Sequence, residues 1–114
     1  MPWNLDSDRP VFLQIVERLE SDIVSGKYAP GEKLPAVREL AVEAAVNPNT
    51  MQKACAELER IGLVYSQRTS GRFVTEDKKL IDKVRKELAK KTVEEFLQKM
   101  KGMGIDRDEA LKLL

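Results

Sequence analysis

Apolar residues recur at intervals of three and four in three segments of the first half of the chain, which is the spacing of an amphipathic helix. The first segment, 11–23, follows an acidic cap at Asp8 and is closed by Gly26. The second segment is 35–44 and the third is 47–61. We therefore predict three helices, each of which buries one face.

The third predicted helix has the clearest start signal, and two strands follow it. Asn47 is a good cap, and Pro48 suits the first helical position, where its missing N–H costs nothing. Segments 63–68 and 72–75 are rich in strand-forming residues and are joined by a short turn, and 33–34 can form a very short strand. The order helix, short strand, helix, helix and hairpin is that of a winged helix.

Beyond residue 75 the sequence becomes rich in Lys and Glu and carries two apolar stripes, rotated by roughly 130° from one another around a helix. We favour one long helix at about 77–101, followed by a short helix at about 106–113. A break near Lys91 is the alternative, since Thr92 and Glu95 could form a capping box there. The first stripe is Leu80, Ile81, Val84 and Leu88, and the second is Val93, Phe96, Leu97 and Met100.

These elements predict a mainly α fold with a small β wing, divided into a winged helix-turn-helix domain at 1–75 and a C-terminal helical dimerisation tail at 76–114. The tail is too apolar to be buried entirely on so small a domain, and a two-fold dimer is the commonest way to cover such a surface. The alternative is a tail that folds back onto its own domain. The expected dimer contacts are Leu80, Ile81, Val84, Leu88, Val93, Phe96, Leu97, Met100, Leu111 and Leu114.

Composition narrows the class of protein. Hydrophobic residues make up 42% of the chain, which is enough for a core. No apolar run approaches the roughly 18 residues of a membrane span, and the first residues lack the basic and apolar segments of a secretion signal, so we expect a cytoplasmic protein. The chain has no histidine and one cysteine. Without the commonest general base and metal ligand, the sequence argues against an enzyme and indicates no metal or other cofactor.

Bulk charge does not identify a partner. The net charge is +1; residues 1–75 hold 9 basic and 10 acidic side chains, and residues 76–114 hold 11 and 9. A nucleic-acid role must therefore rest on where individual charges lie.

The exposed face of the third helix carries side chains that suit DNA. Asn49, Lys53, Ala56 and Arg60 fall opposite the core face, with Gln52 on the flank. Asn and Gln can pair with adenine through two hydrogen bonds, and Lys can reach guanine or phosphate. A polar face alone is typical of any surface helix, so the neighbouring elements decide its meaning.

Those neighbours are basic. Arg38 lies on the helix that precedes the third one through a tight turn, as in a helix-turn-helix, and Arg68 and Arg72 lie in the hairpin that follows it. Such a hairpin can contact backbone or minor groove. We infer binding of double-stranded DNA. The alternative is a winged helix that docks other proteins, which the near-neutral charge permits.

Five segments of the chain resemble the GntR family of winged-helix repressors, and its YtrA-like subfamily in particular. They are PVFLQI at 10–15, GEKLPAVRELA at 31–41, VNPNTMQKA at 46–54, ELERIGLV at 57–64 and GRFV at 71–74. The resemblance covers about residues 8–75, and the helical tail is similar to the dimerisation appendage of the YtrA-like proteins. It implies a repressor that binds DNA as a homodimer.

The resemblance also implies which residues touch DNA: Arg38, the first turns of the third helix, and Gly71 with its neighbours in the wing. Helix geometry adds Lys53. The full set is Arg38, Asn47, Asn49, Thr50, Gln52, Lys53, Arg68, Ser70, Gly71 and Arg72. About 39 residues follow the wing, too few to enclose a ligand pocket of some 300 Å³, so we expect no dedicated ligand domain. Whether a small-molecule effector acts on the protein stays open.

Overall fold

The computed structural model describes residues 3–114, and within them it has five helices and a two-stranded antiparallel sheet. The mainly α fold with a small β wing is therefore confirmed. Met1 and Pro2, which belong to the predicted 1–75 domain, lie outside the described residues. The elements in chain order are α1 Val11–Val24, α2 Val37–Ala44, α3 Pro48–Arg60, β1 Val64–Gln67, β2 Gly71–Val74, α4 Lys78–Gly102 and α5 Arg107–Lys112.

The apolar faces of α1, α2 and α3 meet in one core. Ile15, Leu19, Leu40, Met51 and Leu58 are all fully buried there. Burying each such side chain stabilises the fold by about 1.5–3 kcal/mol relative to leaving it exposed. This burial therefore fixes the angles between the three helices. The face predicted for the third helix is thus the face it buries.

The cap predicted for the first helix and the start predicted for the second were wrong. The first helix begins at Val11 with Pro10 in the capping position, and Asp8 makes no cap. The second begins at Val37, with the extended Ala36 before it, because the proline at 35 stays in the preceding loop. A proline constrains the residue before it as well as itself, so it often marks a boundary without occupying the first turn.

A tight turn joins α2 to α3. Ala45 lies in the left-handed region at φ 60°, a conformation that costs a residue with a side chain about 1–2 kcal/mol. The amide of Val46 donates to the carbonyl oxygen of Ala41 at 3.0 Å, which closes the end of α2. The turn thereby fixes the direction in which α3 leaves the core.

The predicted short strand at 33–34 lies against the wing. Lys33 forms a bridge with Phe73, and the amide of Leu34 donates to the carbonyl oxygen of Arg72 at 2.9 Å. The other edge of β2 pairs with β1, with Gln67 opposite Gly71 at the tip. Strand β2 therefore has a hydrogen-bonded neighbour on each edge, while the residues at the wing tip are exposed.

α4 is one continuous helix and passes Lys91 and Thr92 without a break. The Thr92 hydroxyl donates to the carbonyl oxygen of Leu88 at 2.9 Å, as a threonine does inside a helix, and so forms no capping box.

The Lys91 ammonium group lies 2.6 Å from the Glu17 carboxylate of α1. Burial raises the pKa of Glu17, but the hydrogen bonds from Lys91 and Arg9 outweigh burial, and the net shift is downward. The Lys91–Glu17 ion pair thus links the tail to the first helix.

Four residues expected at a dimer interface contact the chain's own core instead. Val84 is buried, and Leu80, Ile81 and Leu88 are half-buried against the same cluster of side chains. The physical reason is that the first stripe of α4 lies directly over α1. The second stripe, which is rotated around the helix, does not reach this core.

The end of the tail folds into a helical hairpin. The side chain of Asp106 caps α5 by accepting from the amide of Glu109 at 2.9 Å, and Ala110 is fully buried against α4. Between α4 and α5 lies an apolar groove of about 330 Å³. In the part of the chain that the structure describes, no helix is long and apolar enough to cross a membrane.

Candidate nucleic-acid interface

The start of α3 is held by its own cap. Asn47 Oδ1 accepts a hydrogen bond from the amide of Asn49 at 2.7 Å, and Pro48 occupies the first helical position. The side chains of Asn49, Gln52 and Lys53 are exposed, and Thr50 is half-buried. The end of α3 that carries the amides and a lysine therefore faces outward, and its free backbone N–H groups favour an anion.

Because Asn47 both caps α3 and belongs to the predicted contact set, its two roles need separate variants. Asn47→Ala is expected to lower the free energy of unfolding by about 1 kcal/mol, measured by chemical denaturation, because the cap is lost. Asn47→Asp keeps the cap, so it is expected to retain stability while weakening DNA binding, since a carboxylate cannot donate and repels phosphate. If both variants bound DNA like the parent, Asn47 would be a structural cap only.

The N-terminal end of α2 and the wing tip lie on opposite sides of one cavity. The cavity has a volume of about 340 Å³; Pro35, Ala36 and Val37 line one side, and Thr69, Ser70 and Gly71 line the other. Arg38 is exposed in the first turn of α2, directly after this rim. The structure thus brings the start of α2 close to the wing, two segments more than 30 residues apart.

Cys55 lines the same cavity. Its thiol is almost fully buried, and burial raises its pKa. A thiol of this kind stays protonated at neutral pH and is a poor nucleophile. Cys55 therefore packs α3 against the wing.

Ion pairing distinguishes the basic residues of this surface. Arg60 pairs with Glu57 within α3. Within residues 3–114, by contrast, Arg38, Lys53 and Arg68 form no salt bridge. A cation without an internal partner breaks no ion pair when it meets a phosphate, so these three are available to an anionic ligand.

Arg72 lies in the wing, and its side chain forms hydrogen bonds to α3. Its Nε donates to Glu59 Oε1 at 3.2 Å and its Nη1 donates to Gln52 Oε1 at 3.5 Å, both on α3. The Ser66 hydroxyl donates to the same Glu59 oxygen at 2.7 Å. Hydrogen bonds from Ser66 and then Arg72 lower the pKa of Glu59, which keeps it charged at neutral pH. Arg72 therefore joins the wing to α3, and its contact with DNA stays a prediction.

Two residues of this region were missed by the sequence reasoning. Glu59 looked like any exposed helix charge, and its partners come from both wing strands. Lys33 has its Cε only 3.1 Å from where a Cβ on Gly71 would lie, which places a further cation beside the wing tip. Gly71 itself has φ 108°, a conformation that glycine adopts without strain. Neither position has a local sequence signal, because both depend on how the hairpin docks.

No group of three or more metal-ligating side chains occurs within residues 3–114.

Comparison with known proteins assigns this arrangement to a family. Residues 12–74 match the family described as bacterial regulatory proteins, gntR family. The chain is 37% identical over 112 residues to the HTH-type transcriptional regulator YhcF of Bacillus subtilis (strain 168), covering 98% of this chain and 93% of YhcF. It is 41% identical over 73 residues to the HTH-type transcriptional repressor YtrA of the same organism, covering 64% of this chain and 56% of YtrA.

Solved structures agree with the sequence relatives. A GntR family transcriptional regulator from Listeria monocytogenes superposes with a TM-score of 0.85 at 38% identity, covering 96% of each chain. The crystal structure of the AraR DNA-binding domain in complex with operator ORE1 superposes with a TM-score of 0.57 at 34% identity, covering 66% of this chain and 94% of that one. The first match extends over the tail, and the second is confined to a shorter part of the chain.

Proposed function

This chain belongs to the gntR family of bacterial regulatory proteins, and from that premise we propose that it represses transcription by binding a palindromic operator as a homodimer. Binding of DNA as a transcriptional regulator follows from the family, and the relatives are named as regulators and not as enzymes. Repression is supported by the likeness to YtrA, which is named as a repressor.

The observation that carries the proposal is the outward face of α3 beside three unpaired cations. Asn49, Gln52 and Lys53 are exposed on α3, while Arg38 lies on α2 and Arg68 lies in the turn between β1 and β2. In helix-turn-helix proteins, the N-terminal part of the recognition helix contacts base edges while flanking groups hold the backbone. We propose that α3 enters the major groove and that Arg38 and the wing tip hold phosphates.

The tail supports the dimer. Val93, Phe96, Leu97, Leu111 and Leu114 line the apolar groove between α4 and α5, and Leu114 is 86% exposed. Leu113 and Met103, which were not among the expected contacts, are also strongly exposed nearby. An exposed apolar surface at the end of a long helix is typical of a partner interface. We propose that residues 76–114 pair two copies and that the preceding domain binds one half-site each.

The test of DNA binding is a salt titration. Fluorescence anisotropy with a duplex from the chain's own promoter region is expected to give a binding constant whose logarithm falls linearly with the logarithm of salt concentration, with a slope of about −0.9 for each phosphate contacted. A scrambled duplex of equal length is the control and should bind at least about a thousandfold more weakly.

Equal binding of the two duplexes would contradict sequence-specific recognition. If neither duplex bound with any dependence on salt, the alternative of a protein-docking winged helix would replace the proposal.

A further inference from the structure

The cavity between α2 and the wing has a basic lining. Lys33 and Arg72 are the charged residues that line it, and within residues 3–114 no carboxylate does so. Glu59, the acidic partner of Arg72, lies outside the lining. Thr69 and Ser70, which carry hydroxyl groups, form part of the rim on the side of the wing. A cavity lined by cations and hydrogen-bond donors, without a carboxylate to repel the ligand, favours an anion.

Lys33 lies beside the wing tip without an acidic partner. Its backbone is bridged to Phe73, and its side chain lies against Gly71. A Cβ added to Gly71 would be 3.1 Å from Lys33 Cε and 3.8 Å from Lys33 Nζ, so the missing side chain of the glycine makes room for the lysine. Within residues 3–114, Lys33 forms no salt bridge. Its ammonium group is therefore available to a ligand in the cavity.

The opposite side of the cavity is the start of a helix that has no side-chain cap. Ala36 occupies the capping position of α2, and its methyl group accepts no hydrogen bond. The first amides of α2, beginning with that of Val37, therefore have no partner within the helix. Ala36 and Val37 both line the cavity, and the exposed Arg38 follows them. The positive end of the α2 dipole thus lies at the same cavity as Lys33.

The most buried residue of the lining is Cys55, which comes from α3. It is 1% exposed, and none of the side-chain hydrogen bonds within residues 3–114 involves its thiol. A thiol is a weak donor, so this buried polar group adds to the donors of the cavity. The donors come from three separate segments, namely 33–37, α3 and the wing, and they converge on one space.

We propose that this cavity holds one phosphate of the operator backbone, and that Lys33 binds it together with the first amides of α2. The proposal rests on the proposed function: when α3 lies in the major groove, the elements that flank it meet the backbone, and those elements form the two rims of the cavity. Lys33 thereby joins the residues that contact DNA. A free phosphate ion has the same chemistry as the backbone group, so the experiment must separate the two sources.

Lys33→Ala in the full chain tests the cation. In the salt titration with the promoter duplex, the slope of the logarithm of the binding constant should become shallower by about 0.9 for each copy bound, or about 1.8 for two copies. Because a phosphate contact carries no sequence information, the ratio of affinities for the promoter and scrambled duplexes should stay within about twofold of the parent ratio. Lys33→Arg keeps the cation and should keep the slope. Lys99→Ala removes an exposed cation on α4 and should leave the slope unchanged.

Ala36→Asp tests the start of α2. Aspartate is a good cap, so the midpoint of thermal unfolding should rise. The same carboxylate occupies the free amides and repels a phosphate, so affinity for the promoter duplex should fall by at least about tenfold. Ala36→Ser is the matched control, because a hydroxyl group caps the helix without adding charge; it should keep affinity within about threefold of the parent. A merely structural role for this position would not give a more stable protein that binds DNA more weakly.

Inorganic phosphate separates the two sources of the ligand. At constant ionic strength it should displace the promoter duplex from the parent protein no better than chloride does. If it displaced the duplex from the parent but not from Lys33→Ala, the cavity would be a site for free phosphate, and its assignment to the backbone would be wrong.

An unchanged salt slope in Lys33→Ala, or unchanged affinity in Ala36→Asp, would also overturn the inference, and the proposed function would stand as long as the parent still bound the promoter duplex. If the parent bound neither duplex with any dependence on salt, the proposed function itself would fail.

Discussion

Replacing either Arg38 or Asn49 with alanine is expected to lower affinity for the operator by at least about 30-fold. The reason is that each operator would meet two copies of the chain, so one substitution removes two contacts. A good base contact, as proposed for Asn49, contributes about 1–3 kcal/mol, and a hydrogen bond to a charged group such as a phosphate, as proposed for Arg38, contributes about 1.5–3 kcal/mol. The loss from two copies is then about 2–6 kcal/mol, and 1.4 kcal/mol corresponds to a tenfold change. Both side chains are exposed, so the fold should be unaffected. Fluorescence anisotropy at fixed salt measures the change.

Two substitutions on the tail serve as controls, because they remove side chains of the same chemical type as Arg38 and Asn49. Lys99→Ala removes an exposed cation, and Gln98→Ala removes an exposed amide, both on α4 and away from α2 and α3. Neither should change operator affinity by more than about twofold, since surface substitutions away from special features usually have small effects. Unchanged affinity in both the Arg38 and Asn49 variants would remove this surface from the proposed interface. Thermal unfolding monitored by circular dichroism checks that all four variants fold.

The elements that could be predicted from the sequence are those with local signals. The adjacent residues Asn47 and Pro48 predict the start of α3. In the structure, Asn47 is the cap and Pro48 occupies the first helical position. The apolar spacing of Met51 and Leu58 likewise identifies the buried face of α3. These features depend on backbone geometry over a few residues, and the fold follows from them because three amphipathic helices and a hairpin have few ways to share one core.

The features that could not be predicted depend on contacts across long stretches of chain. Lys33 pairs with Phe73 only because the loop before α2 returns to the edge of β2. The sequence places Arg72 in the wing, and its bond to Glu59 appears only once the wing docks against α3. The apolar stripe that includes Val84 was assigned to a partner because a sequence shows that a face is apolar but not which surface covers it.

The second apolar stripe of α4 raises the same question of which surface covers it. We propose that another copy of the chain covers it, and disrupting that contact has the other large expected effect. Val93→Glu should convert the dimer to a monomer. Val93 is 55% exposed in the single chain, so a carboxylate there stays hydrated and the protomer remains folded. Covering that carboxylate with an apolar partner surface without a compensating contact would cost several kcal/mol. Sedimentation velocity measures the oligomeric state directly.

Gln98→Glu supplies the matched control for this substitution, because it adds the same charge on the same helix at an exposed position roughly 140° around from Val93. It should leave the dimer intact.

Operator affinity then distinguishes loss of pairing from loss of the DNA surface. Holding two half-sites at once raises the affinity of a dimer by about 10²–10⁴-fold. The Val93→Glu protein should therefore lose that factor in its affinity for the full palindrome. On a single half-site it should bind as the parent does, because α2, α3 and the wing are untouched. A Val93→Glu protein that sedimented as a dimer, or that bound half-site and palindrome in the parent's ratio, would show that this groove does not pair the two copies.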